Sequence, residues 1–208
     1  MGPEHAEPLE ELQRAVFPSL ADDERFKAEH YRHHLTLFPE GQLVVTDGSR
    51  VVAATSTIRR DFDFDAPDHS FAEIIAGGWL DSHRPKGAWL YGVDVSVHPD
   101  WRRRGLGRAL YAARQELVWR LGLRGQLAAG MLRGYGALQD RITAREYLDQ
   151  VRLGGIFDPT VSMQLRVGFE IVELLPDHLH DPVCAGYAAL IVLDAARDVP
   201  GAMRPASP

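Results

Sequence analysis

Trp89-Leu90-Tyr91-Gly92-Val93-Asp94-Val95-Ser96-Val97-His98-Pro99-Asp100-Trp101-Arg102-Arg103-Arg104-Gly105-Leu106-Gly107-Arg108 is the stretch on which the reading of this chain turns. Its first half has the period of two of a β-strand, with Tyr91, Val93, Val95 and Val97 on one face and Gly92, Asp94 and Ser96 on the other. Pro99 ends that pattern. Beyond the arginines, Leu106, Ala109, Leu110, Ala113, Leu117 and Leu121 fall on one stripe of a helix, and Gly122 is placed to stop it. The unit is therefore strand, arginine-rich turn, helix. Leu127 to Leu132 reads as a further strand, where a parallel crossover would bring it.

The turn carries the chemistry. Gly105 and Gly107 let the backbone approach a ligand without Cβ clashes, and the first amides of the following helix have no internal acceptors. The helix dipole adds partial positive charge there. Arg102, Arg103, Arg104 and Arg108 add full charges that can pair with phosphate oxygens. An arginine triplet among glycines is, alone, more often a solvated turn; the strand before it and the striped helix after it make it a site for a diphosphate. The spacing Arg-x-x-Gly-x-Gly is neither a Walker loop nor the three-glycine dinucleotide fingerprint.

Composition narrows the classes. The chain has 208 residues, 45% of them apolar, which suits one domain over 1–199 with 200–208 as a flexible tail. Its 23 Lys and Arg against 29 Asp and Glu give a net charge of −6. That balance argues against a nucleic-acid partner and leaves any anion site local. Cys184 is the sole cysteine, which excludes an internal disulfide and a thiolate metal cage and fits a reducing cytoplasm. No apolar run reaches the roughly 18 residues of a membrane span, and Met1 to His5 lacks the parts of an export signal, so a cytoplasmic protein without a membrane partner is expected.

Elsewhere, helical spacing at Leu9, Leu12, Val16 and Phe17, and at Phe26, Tyr31, Leu35 and Phe38, predicts two opening helices. Gln42–Thr46 and Val51–Ile58, split by Asp47-Gly48-Ser49, predict a hairpin. Phe62 to Ser70 reads as a loop or edge strand. Thr143 and Glu146 form a capping box that starts a helix running to Leu153, and Asp158-Pro159 opens a short helix closed by Gly168. Phe169–Leu175 and Tyr187–Leu193 are the last strands. His30, His33 and His34 are expected on a helix surface and His178 and His180 in a solvated loop, so no metal is expected. Trp79, Phe62 and Phe64 are candidates to line an acceptor pocket.

The strand Val93–Val97, then His98-Pro99, then Arg102-x-x-Gly105-x-Gly107 resembles the coenzyme A signature of the GNAT acetyltransferases. Phe38-Pro39-Glu40-Gly41-Gln42, Leu90 to Val95, Gly134-Tyr135, Asp158-Pro159 and Gln164-Leu165-Arg166-x-Gly168-Phe169-Glu170 resemble, in order, the GNAT domain found fused to nitrilase-like hydrolases. The likeness runs from Phe38 to Leu193, and 208 residues leave no room for the hydrolase, so a stand-alone domain is expected.

The resemblance implies an α/β fold with a mixed, mostly antiparallel sheet, splayed at the signature strand and flanked by helices on both faces. It implies direct acetyl transfer from acetyl-CoA, as co-substrate, to a primary amine of a small molecule or peptide. The co-substrate would lie on Val95, Ser96, Val97, Arg102, Arg103, Arg104, Gly105, Leu106, Gly107 and Arg108. Glu73 and Asp94 are candidates to take the proton of the amine. The tyrosine many relatives use to protonate the departing thiolate is replaced by Gln164, which leaves Tyr135, Tyr187 or solvent as the source of that proton. The alternative is a non-catalytic acyl-CoA-binding module. Met1 to Pro8 holds no usual first strand, so an incomplete edge could be filled by a second copy in a homodimer. The 134–158 segment is longer than a minimal connection and could cover the acceptor cleft or a subunit contact.

Overall fold

The computed structural model describes residues 1–204; Pro205 to Pro208, part of the expected flexible tail, lie outside the described residues. Two helices open the chain, α1 (Ala6–Val16) and α2 (Ala28–Leu37). A hairpin of β1 (Leu43–Asp47) and β2 (Arg50–Thr55) follows, its two-residue turn taken by Gly48 at φ +58°. Then come β3 (Thr57–Arg60), α3 (Phe71–Ile75), β4 (Trp89–Gly92), β5 (Ser96–Val97) and α4 (Leu106–Arg120). The last third holds β6 (Gly125–Met131), α5 (Ala144–Leu153), α6 (Val161–Val167), β7 (Glu170–Leu175) and β8 (Ala188–Asp194). Helices surround a mixed arrangement of two sheets, with orders β1-β2-β5 and β3-β4-β6-β8-β7. All pairs are antiparallel except β4 with β6, the pair that α4 crosses over.

The expected single strand Trp89–Val97 is two strands, and so is the expected Val51–Ile58. Both break at the same level. Up to Thr55 the chain pairs through β2 with β5, whereas from Thr57 it pairs through β3 with β4. The cause is Asp94. Its Oδ1 accepts the Ser56 amide at 2.6 Å, and the Thr55 hydroxyl donates to its backbone carbonyl at 2.5 Å. Side-chain bonds thus replace part of the ladder at the seam, and the two half-sheets diverge from it.

Local chemistry sets several element ends. α5 starts at the predicted capping box, with Glu146 N–H on Thr143 Oγ1 and Thr143 N–H on Glu146 Oε2, and ends on Gly154 at φ +78°. Asp158, fully buried, accepts from the amides of Gly134, Thr160 and Val161 and from the Tyr147 hydroxyl, so one carboxylate ties the 134–158 segment to the start of α6. The Phe62–Ser70 segment is a loop. α3 was not anticipated, although Ser70-x-x-Glu73 is a capping box in the sequence. At the far end, the Arg204 guanidinium lies over the Trp119 ring at 4.6 Å.

The histidine expectations need correcting. His30 and His34 are buried, not surface residues, because α2 packs on Phe26 and on the segment after α3; His34 Nε2 lies 2.7 Å from the Gly78 carbonyl. Burial drives the His34 pKa down to about 4, so it serves the core as a neutral ring. His178 is also buried, while His180 is exposed and meets Glu24 at 3.1 Å, an acidic partner too distant in sequence to be read as one. Among the described residues no group of three or more His, Cys, Asp or Glu is placed to hold a metal, and no helix is long and apolar enough to cross a membrane.

Candidate active site

The arginine turn is open to solvent. A short helical turn, Pro99–Trp101, leads into it, Arg103 adopts φ +61° and Gly105 φ +82°, and α4 starts with no side-chain cap. The amides from Arg103 to Arg108 donate to no backbone or side-chain acceptor among the described residues; the first α4 bond is Ala109 N–H to Gly105 C=O. Such a run of free donors, together with a non-glycine residue held in the left-handed region, is a nest for an anion. Two guanidinium groups are held beside it. Arg104 stacks on Trp101 at 4.5 Å, and Arg102 Nε lies 3.4 Å from the Val97 carbonyl. A Cβ on Gly107 would meet only Met163 and Val97, at 3.8 and 4.0 Å, so the surface over the second helical residue is clear.

The same stretch exposes strand edge. His98 N–H donates to Val52 C=O, and by the alternation of an antiparallel pair Ser96 and Ala54 bond each other. Val95 and Val97 then turn their backbone groups away from β2, toward the gap between the half-sheets. Val95 N–H has no partner among the described residues. A groove of main chain, with the Val95 amide unpaired and the Val97 carbonyl met only by Arg102 among the described residues, therefore runs from the turn to the seam.

At the seam lies a cavity of about 120 Å³. Its wall includes Asp94, Val95, Tyr111, Arg114, Gln164 and His178. Both Asp94 oxygens are engaged, Oδ2 by Gln13 Nε2 at 2.6 Å and the Ser96 hydroxyl at 3.2 Å, and Oδ1 by Ser56. Desolvation nevertheless outweighs these donors and lifts its pKa to about 6. His178 Nδ1 sits 2.8 Å from the His69 carbonyl, which fixes the proton on Nδ1 and leaves Nε2 as a lone pair; burial keeps the ring neutral by lowering its pKa to about 4. Gln164 Nε2 donates to the Tyr111 hydroxyl at 2.9 Å, so the Tyr111 proton is free to point elsewhere. Burial raises the Tyr111 pKa.

Of the candidates named from sequence, Asp94 and Val95 line this cavity and Ser96 to Arg108 lead to it. Glu73 does not. It is exposed and closes the cap of α3 through Ser70. Tyr135 and Tyr187 pack edge to face at 5.4 Å, outside the cavity wall. Trp79 packs on His30 and His33, and Phe64 on Phe62 and Trp89, so none of the three proposed aromatics lines it. Tyr111, Arg114 and His178 were missed. Tyr111 and Arg114 lie beside the predicted stripe of α4, on the face the helix buries, while Ala109 of the stripe is exposed; His178 reaches the cavity only through contacts far apart in sequence.

A free-amide turn after a β-strand, beside a sheet split at that strand, defines a class, and the chain belongs to it: residues 6–131 match the model of the acetyltransferase (GNAT) family, so this is a GNAT-family acetyltransferase domain. It is 35% identical over 182 residues to the Bacillus subtilis protein named probable hydrolase YhcX, covering 87% of this chain and 35% of that protein. It is 31% identical over 186 residues to the uncharacterized N-acetyltransferase YkwB of the same species, covering 89% and 82%. In structure it is similar to the GphF GNAT-like decarboxylase in complex with isobutyryl-CoA, with a TM-score of 0.75, 21% identity and coverage of 94% and 97%.

Proposed function

We propose that this domain moves an acetyl group from acetyl-CoA directly to a primary amine of a small molecule or peptide. The observation that carries the reading is the run of unpaired amides from Arg103 to Arg108, opening onto the strand edge at Val95 and Val97, which β2 leaves unpaired. In this reading the amides and the guanidiniums of Arg102, Arg103, Arg104 and Arg108 take the diphosphate, while Gly105, Leu106 and Gly107 give it close approach. Val95, Ser96 and Val97 hold the pantetheine arm. Val95 N–H donates to the thioester carbonyl and stabilises the charge that grows on its oxygen, an effect of about 3 kcal/mol for one well-placed donor.

The amine nitrogen attacks the carbonyl carbon, the C–S bond breaks, and an amide and a thiol result. Asp94, with a pKa near 6, accepts the proton the amine gives up, and neutral His178, in the same wall, offers a lone pair to the amine N–H. Tyr111 donates its proton to the leaving sulfur in place of the tyrosine that Gln164 replaces, and Gln164 orients it. We further read residues 1–199 as one domain working in a reducing cytoplasm, with a second copy as the partner for the edge at β1.

Incubating the protein with acetyl-CoA and a panel of primary amines, and following free thiol, tests the reading. Amine-dependent thiol release is expected. Tight acetyl-CoA binding with no release for any amine would instead leave the acyl-CoA-binding module, the reading favoured by Gln164.

A further inference from the structure

Among the described residues Arg114 is the largest fully buried side chain, 1% exposed, and it borders the cavity. Its Nε and Nη2 have no hydrogen-bond partner among the described residues. Asp94, a carboxylate of the same wall, accepts from Gln13, Ser56 and Ser96 and acts on the guanidinium through its charge, without a hydrogen bond to it. The guanidinium lies over the Tyr111 ring at 5.0 Å and against the backbone of Gly92, where a Cβ would stand 1.8 Å from Nη2. The last residue of β4 is therefore bare where the cation rests, at the base of the split.

A buried cation without hydrogen bonds is expensive, and proteins rarely keep one unless something arrives to pair with it. An acetyl methyl group gives it nothing. A carboxylate would supply two acceptors matching the fork of a guanidinium. The wall also holds Glu24 and a second cation, Arg133, and its apolar part, with Val93, Val95, Ala128 and Met131, suits the short carbon chain that would carry such a group.

We propose that the cavity recognises a substrate bearing a carboxylate, held by Arg114. This rests on the acyltransferase reading for the cavity's role. The carboxylate has two possible sources, an acyl donor derived from a dicarboxylic acid or an acceptor that is an amino acid.

The test compares three pairs of probes on the full chain: succinyl-CoA with butyryl-CoA as donors, amino acids with the corresponding decarboxylated amines as acceptors, and free succinate with free butyramide in thermal unfolding. At least a tenfold preference in kcat/KM for the carboxylate-bearing member of one pair is expected, the donor or the acceptor pair identifying the source, and succinate should raise the melting temperature more than butyramide. In Arg114→Met the preference falls to about one, in Arg114→Lys it is partly kept, and the exposed control Arg152→Met retains it. No preference in either kinetic pair by a wild-type protein that does turn over acetyl-CoA would overturn the proposal alone. A wild-type protein inert to every thioester would overturn the acyltransferase reading, and succinate-specific stabilisation lost in Arg114→Met would still decide whether the pocket takes a carboxylate. Should the methionine variant fail to fold, the wild-type probe ratios and the lysine variant decide the matter.

Discussion

Replacing Gly107 by leucine separates ligand approach from folding. Gly107 sits in regular helix, and an added Cβ meets Met163 and Val97 only at 3.8 and 4.0 Å, ordinary contact distances. Leucine is the better helix former, by up to about 1 kcal/mol, so urea unfolding should show unchanged or slightly higher stability. The side chain would nevertheless stand over the free amides at the start of α4. Losing two charge-assisted hydrogen bonds at about 1.5 kcal/mol each removes about 3 kcal/mol, or roughly a hundredfold in Kd for acetyl-CoA. Gly105→Ala should show the opposite balance. At φ +82° its added Cβ finds open space apart from Arg108 Nη2 at 3.8 Å, so the cost of about 1–2 kcal/mol is conformational and falls on stability. Calorimetry with acetyl-CoA reads both. A Gly107→Leu protein that binds within twofold of the native one would refute the placement of the diphosphate on this turn.

Tyr111→Phe should lower kcat about a hundredfold with little change in KM for acetyl-CoA, measured by thiol release; an unaltered kcat would remove the hydroxyl from the reaction. Gly92→Ala drives a methyl group into the Arg114 guanidinium and should cost about 1–3 kcal/mol in urea unfolding as that side chain is displaced. Asp94 holds its proton more tightly folded than unfolded, so its stabilising contribution, about 3 kcal/mol for a shift from 3.8 to about 6, is present at low pH and lost as pH rises through that window. Asp94→Asn should abolish that slope in unfolding curves collected from pH 4 to 7, with stability at pH 7 no lower than native. His34 and His178 act in the other direction: the unfolded chain takes up their protons first, so about 3 kcal/mol each is present above pH 6.5 and lost as pH falls toward 4. His178→Gln should flatten the acid limb in the same experiment.

What the sequence carried and what it withheld divide along range. The apolar spacing that starts and ends α4 and the Thr143–Glu146 box are local signals, and those two helices stand where the signals put them, although α4 buries Tyr111, Arg114 and Val118 beside the predicted stripe. The break at Asp94 is not local, because it depends on Ser56 and Thr55 arriving from another strand, so an unbroken pattern of alternation concealed two strands. The turn of the site was legible because one continuous segment makes it. The cavity was not, since Gln13, Asp94, Arg114, Gln164 and His178 come from separate elements. The histidines were misjudged for a related reason. A neutral imidazole in a core has no periodic mark that distinguishes it from one in solvent, and only the Gly78 and His69 carbonyls opposite His34 and His178 reveal the difference.

Cys184 is fully enclosed, its thiol donates to the Asp181 carbonyl at 3.3 Å, and desolvation pushes its pKa up to about 11. At neutral pH the folded protein is accordingly expected to react slowly with thiol reagents, and colour developed in a turnover assay should report liberated coenzyme with little background from the catalyst. The same sulfur becomes reactive once the chain opens. Its labelling rate in the presence and absence of acetyl-CoA therefore gives a built-in gauge of how far ligand binding suppresses opening, with no added fluorophore or tag.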